Sequence, residues 1–268
     1  NPLETENFLN YNGNQIHYKT IGKGQELFFL HGGFLDLSMW DSQVEEFQEE
    51  RKIIRFSDLG HGKTKASKPI YGYRIIEKLS KSTELEPAIL VGLSWGAMLS
   101  VDFTLHNPNK VDKLILVSPG LSGWNYFKDS LAAKNNALRQ IANKNNRIED
   151  AAKLFHHNWV IGTKRSASDL EEDFYTKSLA MINSNMKAHW KKEWSKLDTI
   201  PAITRLEEIK VPCYIIIGDQ DALDIQLIAN LYHEKIPNAE LIIIKGAGHL
   251  LNMEKSDEFN RILTGILN

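Results

Sequence analysis

Six short apolar runs, at 27–30, 53–56, 88–91, 114–117, 214–217 and 241–244, constrain this chain more than any other feature. Each is apolar throughout apart from Arg55 in the second, and short enough to be a strand buried on both faces. Longer stretches with helical start and stop signals lie between them. This alternation predicts an α/β fold, a mostly parallel central sheet flanked by helices. Ahead of the first run, Asn12-Gly13 separates 8–11 from 15–18 and predicts a hairpin, because Asn-Gly tolerates the positive φ of a tight turn. A helix is expected from Ser38 to about Glu50, opened by a capping-box-like Ser38-Met39-Trp40-Asp41. Others are expected over 70–85, over 95–107 before Pro108, over 225–235 before Pro237, and over 254–267.

The stretch 121–206 breaks this rhythm: it is rich in Lys, Asn, Glu and Trp, has helical spacing and offers no strand pattern. A helical lobe inserted between two strands is the simplest account. The expected organisation is a core from 1–120 and 207–268, with 121–206 as the insertion. At 268 residues the chain fits one catalytic core with such a lobe better than two independent domains.

Composition narrows the functional classes. A net charge of −2 supplies no field to recruit nucleic acid or an anionic membrane, and no run approaches a membrane span of about 18 apolar residues. The single cysteine, Cys213, cannot form an internal disulfide or a Cys-based zinc site and reads as a buried structural thiol. No H-E-x-x-H pattern occurs, so no metal is expected. Ser57 to Thr64 ends in Gly-Lys-Thr, but Ser57 stands where a phosphate-binding loop needs glycine, and no nucleotide cofactor is expected. The acidic start, Asn1 to Glu6, lacks a basic and apolar leader, so the expected location is the cytoplasm and the expected partner a small-molecule substrate.

The chemistry is written most clearly in Gly92-Leu93-Ser94-Trp95-Gly96, a G-x-S-x-G match between an apolar run and a helix. A sharp strand-to-helix turn there projects the serine Oγ above the sheet, and the following helix start offers N–H groups to negative charge. Serine needs a positioned base. Of nine histidines, His249 in Gly246-Ala247-Gly248-His249 follows the last apolar run, on a loop at the carboxyl end of a strand. His31 and His61 also sit on strand-end loops, whereas His156, His157 and His189 fall in the helical stretch. The base needs a carboxylate to orient it, and Asp219, Asp221 and Asp224 all follow the run at 214–217. Asp224 is placed to cap the next helix. The chain order Ser, Asp, His suits an α/β-hydrolase.

Four patterns in sequence, His31-Gly32-Gly33-Phe34, Asp58-Leu59-Gly60-His61-Gly62, Gly92-Leu93-Ser94-Trp95-Gly96, and Gly218-Asp219-Gln220-Asp221 with Gly248-His249, resemble the α/β-hydrolase superfamily over nearly the whole chain. The resemblance implies a triad of Ser94, Asp221 and His249, since the family's acid is the third residue after the strand-end glycine. It implies an oxyanion hole from the backbone N–H groups of Gly33 and Trp95, with Phe34 as the alternative to Gly33. His31 and the 58–62 loop are then structural, and 121–206 is the family's cap. Phe34, Trp124, Trp159 and Trp190 are candidates for the substrate pocket; Trp190 and Trp194, four apart, would share a helix face. Ala97 and Thr64 depart from the family's commoner Gly and Ser.

The implied activity is carboxylesterase-like, through an acyl-enzyme. A proline iminopeptidase, a C–C bond hydrolase or a lactonase would use the same triad, and a non-catalytic ligand receptor would share only the fold. Ser94 argues against the family's dehalogenases and epoxide hydrolases, whose nucleophile is Asp. Gly-x-Ser-Trp-Gly resembles the proline-specific peptidases, and Glu171, Glu172 and Asp173 could hold a substrate amine; Phe34, however, stands where that group carries Pro.

Overall fold

The computed structural model describes residues 3–189 and 194–268. β1 (Thr5–Tyr11) and β2 (Asn14–Ile21) form the hairpin, with Asn12 and Gly13 at φ of 50° and 81°. Then come β3 (Glu26–Leu30), α1 (Asp41–Phe47), β4 (Lys52–Phe56), β5 (Ile70–Tyr71), α2 (Tyr73–Leu79), β6 (Ala88–Leu93), α3 (Trp95–His106) and β7 (Val111–Val117). Three helices follow, α4 (Ser130–Lys144), α5 (Ile148–His156) and α6 (Glu172–His189), with a π-helical turn at His157–Ile161. The chain closes with β8 (Ser195–Lys196), β9 (Cys213–Gly218), α7 (Leu223–Lys235), β10 (Glu240–Ile244), α8 (Leu251–Glu254) and α9 (Ser256–Leu267).

Eight strands form one sheet in the order β1-β2-β4-β3-β6-β7-β9-β10. Both pairings of β2 are antiparallel, and every pairing from β4 to β10 is parallel. Alternation along each strand sends side chains to two cores. Phe28, Leu30, Ala88 and Leu90 join α2, α3 and α7 on one face, whereas Leu27, Phe29, Ile89 and Val91 join α1 and α9 on the other. Arg55 does not break this pattern. Its guanidinium, nearly inaccessible, donates to Glu4 Oε1 at 2.7 Å and to the Leu37 carbonyl at 3.0 Å, and also pairs with Asp41.

The order of winding matters for function. From β3 the sheet grows one way through β4 and the other way through β6, so the loops leaving β3 and β6 part at a switch point. Leu30 pairs with Gly92, which brings His31–Phe34 beside Ser94.

Several elements differ from expectation. The first helix is capped by Asp36, whose side chain accepts the Ser38 N–H, and begins as a 3₁₀ turn at Leu37–Trp40. Over 70–85 only Tyr73–Leu79 is α-helical. Ile70–Tyr71 instead pairs with Ser195–Lys196, a two-residue strand too short to leave a periodic signal. The last helix is split at Lys255 into α8 and α9. Among the described residues no helix is long and apolar enough to cross a membrane.

Candidate active site

Ser94 occupies the sharp turn between β6 and α3 at φ 55° and ψ −106°, a conformation that costs about 1–3 kcal/mol outside glycine. The surrounding backbone holds it there: the Ser94 N–H donates to the Val117 carbonyl at 3.0 Å, and the Gly120 N–H donates to the Ser94 carbonyl at 3.2 Å. Close packing explains the flanking glycines. A Cβ at Gly92 would lie 2.3 Å from the Gly96 carbonyl oxygen, and one at Gly96 would lie 2.3 Å from that of Leu30. Only a bare backbone lets α3 press against the end of β3.

The loops after β9 and β10 are joined in the same way. The Gln220 N–H donates to the Ala247 carbonyl at 2.9 Å, and a Cβ at Gly218 would sit 2.0 Å from that oxygen. The three aspartates divide three tasks. Asp219 Oδ1 accepts the Gly246 N–H at 2.7 Å and fixes the loop. Both oxygens of Asp221 lie 2.9 Å from His249 Nδ1, and Oδ1 also accepts the Ala222 N–H at 2.7 Å. A buried carboxylate there favours the tautomer with the proton on Nδ1, leaving Nε2 as the free base. Asp224 does not cap α7 as expected. Its Oδ1 accepts the Trp124 indole N–H at 2.9 Å, and its Oδ2 accepts the N–H groups of Phe127 and Lys128 at 2.9 and 3.2 Å.

Ser94 and His249 line one cavity of about 270 Å³ together with Gly33 and Trp95. The N–H groups of Gly33 and Trp95 have no partner among the described residues, whereas that of Phe34 donates to His61 Nε2 at 3.0 Å. His61 in turn donates from Nδ1 to the Leu59 carbonyl at 3.1 Å. His31 makes a parallel link, accepting the Asp58 N–H at Nε2 (2.9 Å) and donating from Nδ1 to the Gly32 carbonyl (2.8 Å). Asp58 Oδ2 accepts the Trp95 indole N–H at 2.7 Å. Loss of water holds His31 below its ordinary pKa, pushes His61 down to about 3, and raises the Asp58 carboxyl. Both imidazoles are therefore neutral braces behind the loop that carries Gly33.

Of the pocket candidates, Trp159 lines this cavity, its ring centre 5.2 Å from that of His249. Phe34 lines instead an adjoining cavity of about 420 Å³, where its ring packs edge-on against Phe155. Trp124 lines neither, because Asp224 holds its indole N–H; Tyr126 and Phe127 take the place expected for it. Trp190 lies outside the described residues, and Trp194, which is not on a helix, lines the second cavity. Glu171, Glu172 and Asp173 are exposed and line neither cavity. Met98, Arg139, Phe155 and Ile182 are lining residues the sequence reading missed. Phe155 and Trp159 stand four apart, the one spacing that pointed to a shared face.

A family model for the alpha/beta hydrolase fold matches residues 27–256. The chain therefore belongs to the α/β-hydrolase family and is a hydrolase. It is 26% identical to a 2-hydroxy-6-oxononadienedioate/2-hydroxy-6-oxononatrienedioate hydrolase of Paraburkholderia phymatum, over 94% of this chain and 91% of that one. It is 25% identical to a proline iminopeptidase of Thermoplasma volcanium, over 96% and 95%. Among solved structures, a carboxylesterase of Bacillus subtilis superposes with a TM-score of 0.75 at 19% identity, covering 99% of this chain and 92% of that one. That last likeness is one of fold alone.

Proposed function

We propose that this hydrolase is a carboxylesterase-like enzyme that cleaves a small-molecule ester through an acyl-enzyme on Ser94. The observation that carries the reading is His249, its Nδ1 held 2.9 Å from both oxygens of buried Asp221, lining the same cavity as a strained Ser94 and two N–H groups without a partner among the described residues. In the reaction His249 Nε2 takes the Ser94 Oγ proton as the oxygen attacks the carbonyl carbon. The N–H groups of Gly33 and Trp95 hold the oxyanion, and Asp221 stabilises the imidazolium. Collapse expels the alcohol, which takes the proton from His249. Water then repeats the cycle: His249 removes its proton, the acid leaves, and Ser94 is restored.

We place 121–206 as a lid whose helices α5 and α6 supply apolar wall to the cavity through Phe155 and Ile182, while α4 supplies Asn136 and Arg139. The lone, buried Cys213 suits a cytoplasmic enzyme. The peptidase reading is weaker, because no Asp or Glu stands among the described lining residues to hold a substrate amine. C–C bond and lactone hydrolysis would use the same groups. A receptor would not need the paired Asp221 and His249.

The reading is tested with p-nitrophenyl acetate, butyrate and octanoate and with proline p-nitroanilide, on wild type and Ser94→Ala. Ester hydrolysis lost in the variant is expected. Faster cleavage of the proline amide would replace the esterase by a peptidase.

A further inference from the structure

Arg139, on α4, lines both cavities. Its Nε and Nη2 donate to one acceptor, Asn136 Oδ1, at 3.3 and 3.0 Å, and its guanidinium carbon lies 5.9 Å from the centre of the Phe155 ring. Asn136 occupies the Nε–Nη2 edge of the fork and the Phe155 ring lies beside it, which leaves the Nη1–Nη2 edge without a partner among the described residues. No carboxylate of a described residue pairs with it, unlike the buried guanidiniums of Arg55 and Arg165. A half-buried cation without a counter-charge is costly, and loss of water pulls its pKa below the ordinary arginine value.

The surroundings have the same sign. No Asp or Glu stands among the described residues lining either cavity, and the second also carries Lys144. A cleft with one sign of charge concentrates ligands of the other. The guanidinium edge is matched geometrically to a planar two-oxygen anion, which it binds through paired N–H donors.

We propose that Arg139 is a substrate-binding residue and that the natural substrate bears a carboxylate, seated on its free edge where the two cavities meet. The proposal rests on the hydrolase reading above and names its substrate class: a carboxylate-bearing ester.

Two matched pairs test it. One places the charge on the leaving group, p-(butanoyloxy)benzoate against its methyl ester. The other places it on the acyl chain, mono-p-nitrophenyl glutarate against its methyl ester. The readout is the ratio of kcat/KM, anionic over neutral. In wild type one pair is expected to show a ratio of about ten to a hundred, the range of a charge-assisted paired hydrogen bond. Arg139→Gln should bring that ratio near one and Arg139→Lys should leave it between.

Binding of the amide isosteres p-butanamidobenzoate and its methyl ester is titrated in parallel by tryptophan fluorescence, so that the anion site is read without turnover. Ser94-dependent hydrolysis with no anionic preference in either pair, or a preference unchanged by Arg139→Gln, overturns the anion site and leaves the hydrolase reading standing. A binding contrast that Arg139→Gln removes, with no ester turnover, supports the anion site and defeats the carboxylesterase reading.

Discussion

Arg165 and Glu254 meet in the interior, each side chain under a tenth exposed, and together they hold the loop that carries His249. Glu254 Oε2 accepts the Gly248 N–H at 2.8 Å, while the Arg165 guanidinium donates to the carbonyls of Val160 and Ile161 at 2.9 Å each and of Gly246 at 3.2 Å. One ion pair thus joins the helical stretch after α5 to the strand-end loop of the base. Breaking a buried pair leaves a charge unmatched and costs about 3–5 kcal/mol. Glu254→Ala is therefore expected to lower the urea midpoint strongly and to reduce kcat as His249 loses its support. An unchanged kcat would show that the loop holds itself.

Trp95 supplies a proposed oxyanion donor from its backbone while Asp58 holds its indole. Asp58→Leu removes that hold without touching Ser94, His249 or Asp221. Its expected effect is a fall in kcat of about tenfold or more with little change in KM, because misplacing a donor acts chiefly on the transition state. Steady-state kinetics on p-nitrophenyl butyrate separates the two. A change confined to KM would assign Asp58 to binding instead.

Glycines near the site differ in what they tolerate. A Cβ at Gly96 meets the carbonyl oxygens of Leu30 and His31 at 2.3 and 2.8 Å, whereas one at Gly33 meets nothing within 4 Å. Gly96→Ala should force β3 and α3 apart and lower Tm by many degrees or abolish folding; Gly33→Ala should leave Tm within about two degrees of wild type. Thermal unfolding by circular dichroism compares them. Equal Tm values would deny the close approach.

Acid should weaken the fold through two imidazoles. His61 is pushed down to about 3 and buried His156, whose Nε2 is 2.8 Å from Ser178 Oγ, to about 4, both chiefly by loss of water. Folded values below the ordinary 6.5 mean that the unfolded chain binds more protons in acid, so stability is full above about 6.5 and falls as pH drops toward 4. Each group contributes about 1.4 kcal/mol per pH unit inside that window. Asp102, raised to about 6 by burial, acts in the opposite sense, its stabilisation present below 3.8 and lost as pH rises through 6. These three groups together leave about one proton between pH 4 and 6, and His31, held low, and Asp58, held high, pull in opposite senses. Urea midpoints at pH 7, 6 and 5 should decline in wild type and decline less in His156→Gln; equal slopes would remove His156 from the account.

How legible all this was in the sequence depends on distance along the chain. The six strands and the turn at Ser94 are local signals, written in runs of apolar residues and in glycines whose missing side chains admit backbone. Competition among the three aspartates was not local. The choice of Asp221 came from the family resemblance; in the structure Asp219 is engaged with Gly246 and Asp224 with Trp124, and Asp221 is the one beside His249. That last contact spans about a hundred residues, which is why Trp124 read as a pocket residue and Tyr126 and Phe127 did not. Asp36 capping the first helix in place of Ser38 reflects a 3₁₀ turn that periodicity does not encode. Arg139 left no local signal, because the described residues lining the cavity across from it, none of them acidic, are far away along the chain.

Ser94 as nucleophile is the central claim, and a fluorophosphonate tests it most directly. Intact-protein mass spectrometry should show one phosphonyl group per chain, mapped to Ser94 by peptide sequencing. The label should be absent from Ser94→Ala and slowed by about three orders of magnitude or more in His249→Gln. A folded wild-type protein that takes up no label, or a Ser94→Ala variant labelled as fast as wild type, would contradict the account.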